Sequence, residues 1–319
     1  MMNVIDVNDL KVTYDGKNYA INGISFQVKE GEIFGFLGPN GAGKTTTIRV
    51  LTTLIKPSSG DVKVLGMNVV TKALEIRNNI GVILQQPSYE WSLSVENNLS
   101  MYGTLWNIPK GKKKKMIDEL TEEFDLSDIR KKKAEDLSIG QRRRLQIVRE
   151  LMHESKLLFL DEPTIGLDPI AKKKLLDYFR RLADKGVTIF FTTHNLTEAD
   201  YICDRVAIIN QGMIHAIDSV ENLKKKYEGD QTLEILLSEK IDNLISKIKN
   251  SVSDVIFKMP KNETDPYIIV TRNLPEVLGI INNYIKDTKS EILWFNIKKT
   301  ELEEVFFRVV KGDQVEQDN

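Results

Sequence analysis

The chain has 319 residues and a single cysteine, Cys203. One thiol makes no internal disulfide and no multi-cysteine metal site, which suits a reducing compartment. Cys203 lies in an apolar-flanked segment (Tyr201, Ile202, Val206) that offers no activation as a nucleophile. Long apolar runs are also missing. The longest, such as Leu157–Leu160 and Val206–Ile209, are strand-sized, and none reaches the roughly 18 residues that span a bilayer. No apolar block follows a basic start at the N-terminus, where Asp6 and Asp9 stand, so no secretory signal is expected. An excess of positive charge is lacking too. With 45 basic and 46 acidic residues the net charge is −1, which argues against a globally basic nucleic-acid binder. The lysine runs 112–115, 131–133 and 172–174 alternate with acidic helical stretches and read as solvated helix faces.

What is present is an ordinary globular balance, 41% hydrophobic and 29% charged. That excludes disorder over most of the length, and the length suits two domains. The lysine-rich stretch 224–230 reads as a linker. It leaves a first domain over 1–225 and a second over 230–319. In the first, Ile24, Phe26 and Val28 alternate along a strand that Gly31 ends. Short continuous apolar segments then alternate with helical patterns: Ile33–Leu37, Ile80–Leu84, Leu157–Leu160, Thr188–Thr192 and Val206–Ile209. Strands buried on both faces look like this, so the core is α/β with a parallel sheet. Residues 95–153 carry helical patterns over 95–106, 112–125 and 141–153 and form a helical subdomain inserted between two core strands.

The segment 38–45 matches the phosphate-loop pattern G-x-x-x-x-G-K-[ST] at every required position. Its members are Gly38, Pro39, Asn40, Gly41, Ala42, Gly43, Lys44 and Thr45, with Thr46 continuing into a helix. A strand precedes it, which is the context the pattern needs. The glycines let backbone N–H groups turn toward phosphate oxygens, and the helix N-terminus adds a favourable dipole. Lys44 supplies charge for the β- and γ-phosphates, and Thr45 a hydroxyl for Mg²⁺. Further on, the apolar strand Leu157–Leu160 ends in Asp161 and Glu162. An acid there lies at the carboxyl end of a buried strand, where α/β sheets bind ligands. Asp161 is the candidate for the Mg²⁺ shell and Glu162 for polarising the attacking water.

Taken together, these segments resemble the ATP-binding-cassette ATPases. Leu137-Ser-Ile-Gly-Gln141 resembles the family signature, and Asp161-Glu-Pro-Thr-Ile-Gly-Leu-Asp168 its acid strand and following loop. Thr193-His194 resembles the histidine switch, Gln85 the glutamine loop and Tyr14 the adenine-stacking aromatic. Gln86 competes with Gln85, and Tyr19 with Tyr14. The resemblance covers residues 3–218. It implies a P-loop NTPase fold: a RecA-like core with an antiparallel β subdomain and a helical subdomain. It implies ATP and Mg²⁺ as cofactors. Glu162, His194 and Gln85 are the implied catalytic set, with Thr45, Gln85 and Asp161 around the metal. Ser138, Gly140, Gln141 and Asp168 join the nucleotide set, with Ser138 and Gly140 meeting the γ-phosphate of a partner subunit in a head-to-tail dimer. Ile139 departs from the usual glycine. A β-branched residue requires negative φ, so a slightly altered turn is expected there.

The second domain reads β-α-β-β-α-β followed by a helix. The strands are Thr232–Leu237, Ser253–Met259, Tyr267–Thr271 and Glu291–Ile297. The helices carry Ile241, Leu244, Ile245 and Ile248, then Leu274, Val277, Leu278, Ile281 and Ile285, and finally Leu302, Val305, Phe306 and Val309. That order is ferredoxin-like. The stretch from Thr300 to Gly312 resembles the C-terminal motif of daunorubicin-resistance-type exporter ATPases, whose membrane domains are separate chains. The resemblance therefore implies an ATPase subunit of an exporter of drug-like or lipid/polysaccharide cargo. It would act as a homodimer or with a paired ATPase subunit. It would be cytoplasmic, peripheral on the membrane through a separate transmembrane permease, with no nucleic-acid partner. The rival reading is a soluble mechanical ATPase acting on DNA or ribosomes. No coiled coil or zinc site interrupts Lys44 to Ser138, and only one cassette is present, which disfavours it. Tyr89 and Trp91, in an aperiodic segment after Gln85, are the expected anchors for the membrane partner.

Overall fold

The structure, a computed structural model, describes residues 3–227, 231–238, 241–253, 255–260, 262, 265–298 and 301–311. Residues 228–230 of the linker, and Thr300 and Gly312 of the C-terminal motif, lie outside them. The chain divides into two compact units, Met1–Val220 and Glu221–Asn319, ahead of the boundary at 225 expected from the lysine run.

The first unit opens with β1 (Asn3–Thr13) and β2 (Tyr19–Lys29), an antiparallel pair. β4 (Ser59–Val64) and β5 (Met67–Asn68) complete a four-stranded sheet in the order β2-β1-β4-β5. The larger sheet contains β3 (Ile33–Leu37), β6 (Ile80–Ile83), β7 (Leu157–Asp161), β8 (Thr188–Thr193), β9 (Arg205–Asn210) and β10 (Met213–Ser219). Its order is β10-β9-β3-β8-β7-β6. The neighbours from β9 to β6 pair in parallel, and β10 is antiparallel to β9. β3, β7 and β8 are buried at every position, which is why they show no alternation in the sequence. β6 stops one residue short of the expected Leu84. Gly35 in β3 is set by close approach, because an added Cβ would meet Cys203 Sγ and Val206 Cγ1 at 2.8 Å. Cys203 is correspondingly buried, and burial pushes its thiol pKa up, away from reactivity.

Between β3 and β6 lie α1 (Lys44–Leu51) and α2 (Ala73–Arg77). The helical subdomain follows as α3 (Val95–Leu105), α4 (Lys110–Glu123) and α5 (Ile139–Leu151). Ser94 caps α3 through the N–H of Asn97. α6 (Pro169–Asp184), α7 (Leu196–Ile202) and α8 (Val220–Lys226) complete the series to the junction. The lysine runs make local ion pairs: Lys112 with Glu154, Lys133 with Glu135, Lys172 with Glu198 and Lys174 with Asp125.

The second unit has β11 (Gln231–Leu237), α9 (Asp242–Ser251), β12 (Ile256–Lys258), β13 (Tyr267–Thr271), α10 (Leu274–Thr288), β14 (Ile292–Lys298) and α11 (Leu302–Lys311). The sheet order is β12-β13-β11-β14 and every pair is antiparallel, the arrangement of two split β-α-β units. Leu233, Ile235 and Leu237 of β11 pack with Leu244 and Ile248 of α9 and Val277 and Ile281 of α10. The strand expected over Ser253–Met259 is only three residues long. It is an edge strand paired on one side, so fewer of its residues are held in the ladder.

The two sheets of the first unit share an aromatic core. Phe190 of β8 lies 5.4–6.0 Å, centroid to centroid, from Phe26, Phe34, Phe36 and Phe159. These rings join β2 to β3, β7 and β8. We expect Phe190→Ala to destabilise this unit by about 3–5 kcal/mol, and Phe190→Leu by about 1–1.5 kcal/mol. Denaturant unfolding of the two variants checks both values.

Candidate active site

Parallel pairing in register brings the site together. Leu37 lies opposite Thr193, Asp161 opposite Thr192, and Ile83 opposite Leu160. The carboxyl ends of β3, β6, β7 and β8 therefore form one rim. The phosphate loop, Gln85, Glu162 and His194 all leave the sheet there.

The loop from Gly38 to Gly43 has the shape its glycines permit. An added Cβ at Gly38 would meet the carbonyl oxygen of Ile209 at 2.2 Å. Gly43 sits at φ 109° as the N-cap of α1, and a Cβ there would meet Ile21 Cδ1 at 2.5 Å. Pro39, Asn40 and Gly41 are exposed at the crest, while Ala42 is buried. Lys44 is buried beneath the loop. Its Nζ donates to the carbonyls of Gly38 (2.6 Å) and Pro39 (3.2 Å) and stands 3.4 Å from Glu162 Oε1.

Thr45 Oγ1 donates to Asp161 Oδ2 at 3.0 Å, and Thr192 Oγ1 donates to Asp161 Oδ1 at 2.7 Å. Both oxygens of this buried carboxylate are thus oriented. Glu162 is equally buried and holds His194 Nδ1 at 2.8 Å through Oε2. Its Oε1 has the Lys44 ammonium nearby but no hydrogen-bond donor. The backbone of Glu162 is in the left-handed region at φ 50°, which is unusual for a residue with a Cβ. Such strain is commonly stored at functional sites.

The remaining candidates surround this cluster. Tyr14 is 63% exposed, and its hydroxyl lies 3.3 Å from Thr46 Oγ1, beside the phosphate loop. Tyr19 begins β2 and is also exposed. Gln85 lines a cleft of about 320 Å³ with Tyr89, Trp91, Ile139, Arg143 and Glu162, among others; Gln86 is not among its lining residues. Ser138 caps α5: its Oγ accepts from the N–H of Gln141 (3.2 Å), and Gln141 Oε1 accepts from the N–H of Ser138 (2.9 Å). Ile139 is the first helical residue of α5 and is absent from the positive-φ residues, so the turn is not strained. The side chain fits because this position needs only ordinary helical φ. Gly140 and Ile139 pack against Gly166, in the loop between Glu162 and Asp168. Asp168 is the N-cap of α6. The N–H groups of Ala171 and Ile170 on its carboxylate hold its pKa below the usual range. Lys44, Glu162 and His194 therefore form one contact chain and Thr45 and Asp161 a second beside it, whereas Ser138, Gly140, Gln141 and Asp168 belong to helix ends around them.

Two side chains of the site escaped the sequence reading. Arg143 is buried, 7% exposed, and donates to main-chain carbonyls around the rim. Burial lowers its pKa to about 10, against the raising effect of Asp161. Gln146 Nε2 donates to the carbonyls of Leu84 (2.9 Å) and Gln86 (2.7 Å), one on each side of Gln85. The available signal is a polar stripe, Arg143, Gln146 and Glu150, at i, i+3 and i+7 on α5.

Comparison with known proteins agrees with this geometry. A family model described as ABC transporter matches residues 21–165. The daunorubicin resistance ATP-binding protein DrrA3 of Streptomyces coeruleorubidus is 38% identical over 237 residues, 72% of this chain and 75% of that one. The daunorubicin resistance ATP-binding protein DrrA2 of the same organism is 32% identical over 295 residues, 92% of this chain and 91% of its own. Among solved structures, an ATP-binding subunit of an ABC transporter matches with TM-score 0.66 and 26% identity, covering 70% of this chain and 93% of that one. Relatives this similar, aligned over most of both chains, leave one assignment: the chain belongs to the ATP-binding subunits of ABC transporters, and it binds and hydrolyses ATP.

Proposed function

We infer that this chain is the motor subunit of an exporter, with residues 1–225 as the ATPase and 230–319 as an accessory domain. The observation that carries the catalytic reading is the buried pair of Lys44 and Glu162, with the exposed His194 on Glu162, beside the Thr45–Asp161 pair. ATP lies with its phosphates along Gly38–Thr46 and its adenine on Tyr14. Lys44 turns its charge from Glu162 to the β- and γ-phosphates. Glu162 then accepts the proton of the attacking water, and His194 orients the carboxylate. His194 Nδ1 meets Glu162 Oε2 at 2.8 Å, which leaves Nε2 as the ring nitrogen for the γ-phosphate. Thr45 and Asp161 offer hard oxygen donors in contact with each other, which fits Mg²⁺. Among the described residues no group of three or more His, Cys, Asp or Glu side chains could hold a metal ion; Thr45 and Asp161 would hold Mg²⁺, with Gln85 as the further candidate. The ion, when bound, neutralises charge on the transferred phosphoryl group. Gln85 faces the same cleft.

The N-terminus of α5 serves a second nucleotide. The Ser138 hydroxyl accepts from the Gln141 N–H and keeps its own proton to donate, and the N–H groups of Ile139 and Gly140 remain for an anion at this helix end. The partner is a second copy or a paired ATPase subunit in a head-to-tail dimer. Among the described residues no helix is long and apolar enough to cross a membrane. The resemblance to exporter ATPases supports a separate permease that carries the cargo, of drug-like or lipid/polysaccharide type. The permease seats on Tyr89 and Trp91. Their rings meet edge to face at 5.2 Å, and Trp91 is 43% exposed with Arg142 over its ring. The subunit then works on the cytoplasmic face of the membrane.

Three expected outcomes test this reading. Glu162→Gln lowers turnover by about a hundredfold or more while ATP binding stays and a dimer is trapped, whereas Lys44→Ala loses nucleotide binding. Unchanged turnover in the first variant removes Glu162 from the mechanism. For the shared site, Ser138→Ala weakens ATP-driven dimerisation but not ATP binding by the monomer. Mixing Ser138→Ala chains with Lys44→Ala chains restores one intact composite site, read as activity above either parent. For docking, Trp91→Ala keeps basal ATPase and loses transport with the permease. Equal loss of folding and basal ATPase makes Trp91 a packing residue instead.

A further inference from the structure

Arg143 lies on the signature helix, and all but one of its hydrogen bonds reach from that helix to main-chain carbonyls of the catalytic rim; the other joins it to Gln146 on the same helix. Nε donates to the carbonyl of Pro163 at 3.0 Å. One terminal nitrogen donates to the carbonyl of Leu84 at 2.8 Å and to Gln146 Oε1 at 3.0 Å. The other donates to the carbonyls of Glu162 at 2.9 Å and Asp161 at 3.4 Å. A guanidinium has five N–H groups, and five acceptors meet them. None is a carboxylate, so carbonyl oxygens make all of its hydrogen bonds, and the Asp161 charge acts on it without one. Three of the acceptors are consecutive residues, Asp161, Glu162 and Pro163, and the middle one carries the strained φ of 50°. A residue with a Cβ keeps that conformation only where its surroundings over-determine it. Three residues do so here: Thr192, whose carbonyl accepts the Glu162 N–H at 3.1 Å and whose hydroxyl lies 3.3 Å from it, Ile165, whose N–H donates to the Glu162 carbonyl at 3.4 Å, and Arg143, which makes the shorter bond to that carbonyl at 2.9 Å.

We propose that Arg143 is a positioning residue that fixes the Glu162 loop to the signature helix, so that hydrolysis depends on how that helix is seated. The proposal rests on Glu162 being the catalytic base. Its consequence in a head-to-tail dimer is specific. The helix end at Ser138 closes the partner's nucleotide, while Arg143, little more than one turn later, sets the base that serves its own chain's nucleotide. The same side chain also reaches Leu84, and Gln146 brackets Gln85, so both loops that face the nucleotide hang from one helix. A salt bridge would tolerate sliding of a point charge, whereas a guanidinium fork fixes direction as well as distance.

The test uses the full-length chain and three measurements. Steady-state ATPase of Arg143→Met loses about tenfold to a hundredfold in kcat with ATP KM within about twofold, and Arg143→Lys recovers part of the loss. In a Glu162→Gln background, Arg143→Met costs no further turnover, and ATP still traps the dimer. Amide exchange of the peptide spanning 157–167 quickens in Arg143→Met and in Arg143→Lys. A kcat within about twofold of wild type, or loss of dimer trapping in the double variant, overturns the proposal. If Arg143→Met does not fold, Arg143→Lys carries the test with the same readings. The exchange arm separates the two inferences: full activity of Glu162→Gln sinks the base assignment, whereas unchanged exchange at 157–167 sinks the positioning role of Arg143.

Discussion

A parallel sheet covered on both faces has little room for polar side chains, and that constraint arranges the rest of the first unit. Within β3, β7 and β8 the buried side chains are apolar except near strand ends. Apart from Thr188 at the start of β8, the exceptions cluster where the strands finish: Asp161, Thr192 and Thr193, each at most 1% exposed. A buried carboxylate costs free energy unless its oxygens are bonded. The hydroxyls of Thr192 and Thr45 satisfy Asp161, so the strand end and the phosphate loop are joined by the need to solvate one charge. Parallel strands in register put all such ends on the same rim, and the chemistry follows from that placement.

The neighbouring ion pair is less settled energetically. Lys44 and Glu162 are both buried, 3.4 Å apart, and Glu162 Oε1 lacks a hydrogen-bond donor. Removing one member of a buried pair costs about 3–5 kcal/mol, because the other charge is left uncompensated. Yet the pair at this distance is poorly bonded, and the left-handed backbone of Glu162 adds strain. On the role proposed for Lys44, phosphate oxygens would offer the ammonium a better partner and leave the glutamate to His194 and water. The site therefore holds charge in a form that nucleotide can rearrange, rather than in its most stable form.

Much of this was legible in the sequence, for identifiable reasons. The phosphate loop is a local pattern in which each glycine answers a backbone requirement within a few residues. The strand ending at Asp161 announces itself by continuous burial. The β-α-β-β-α-β order of the second unit shows in its apolar periods. Arg143 was not legible, because in Arg142-Arg143-Arg144 three identical side chains meet three environments, and only the tertiary fold selects the middle one for burial. Ile139 misled for a related reason. In isolation the missing glycine suggests a changed turn, but the position is already helical, and the side chain is 73% exposed. The short β12 shows the opposite limit: β-forming residues yield little strand where only one neighbour completes the ladder.

The contrast between the two faces of α5 gives the helical subdomain its mechanical character. Leu145, Val148 and Met152 are buried apolar side chains, and contacts of that kind are nondirectional and tolerate small slips. The other stripe is polar. Arg143 and Gln146 donate to the main chain on either side of Gln85 and around Glu162, and Glu150 accepts from Tyr102 at 2.6 Å. Hydrogen bonds weaken steeply when they bend, so a rotation of α5 cannot be absorbed on this side without moving the loops or breaking the bonds. The Ser138–Gln141 capping box keeps the first turn of the helix intact up to its end. On the roles proposed for Ser138 and Arg143, a force applied at the helix end would reach the carbonyls of Glu162 and Leu84 through this one helix, because Arg143 bonds to both.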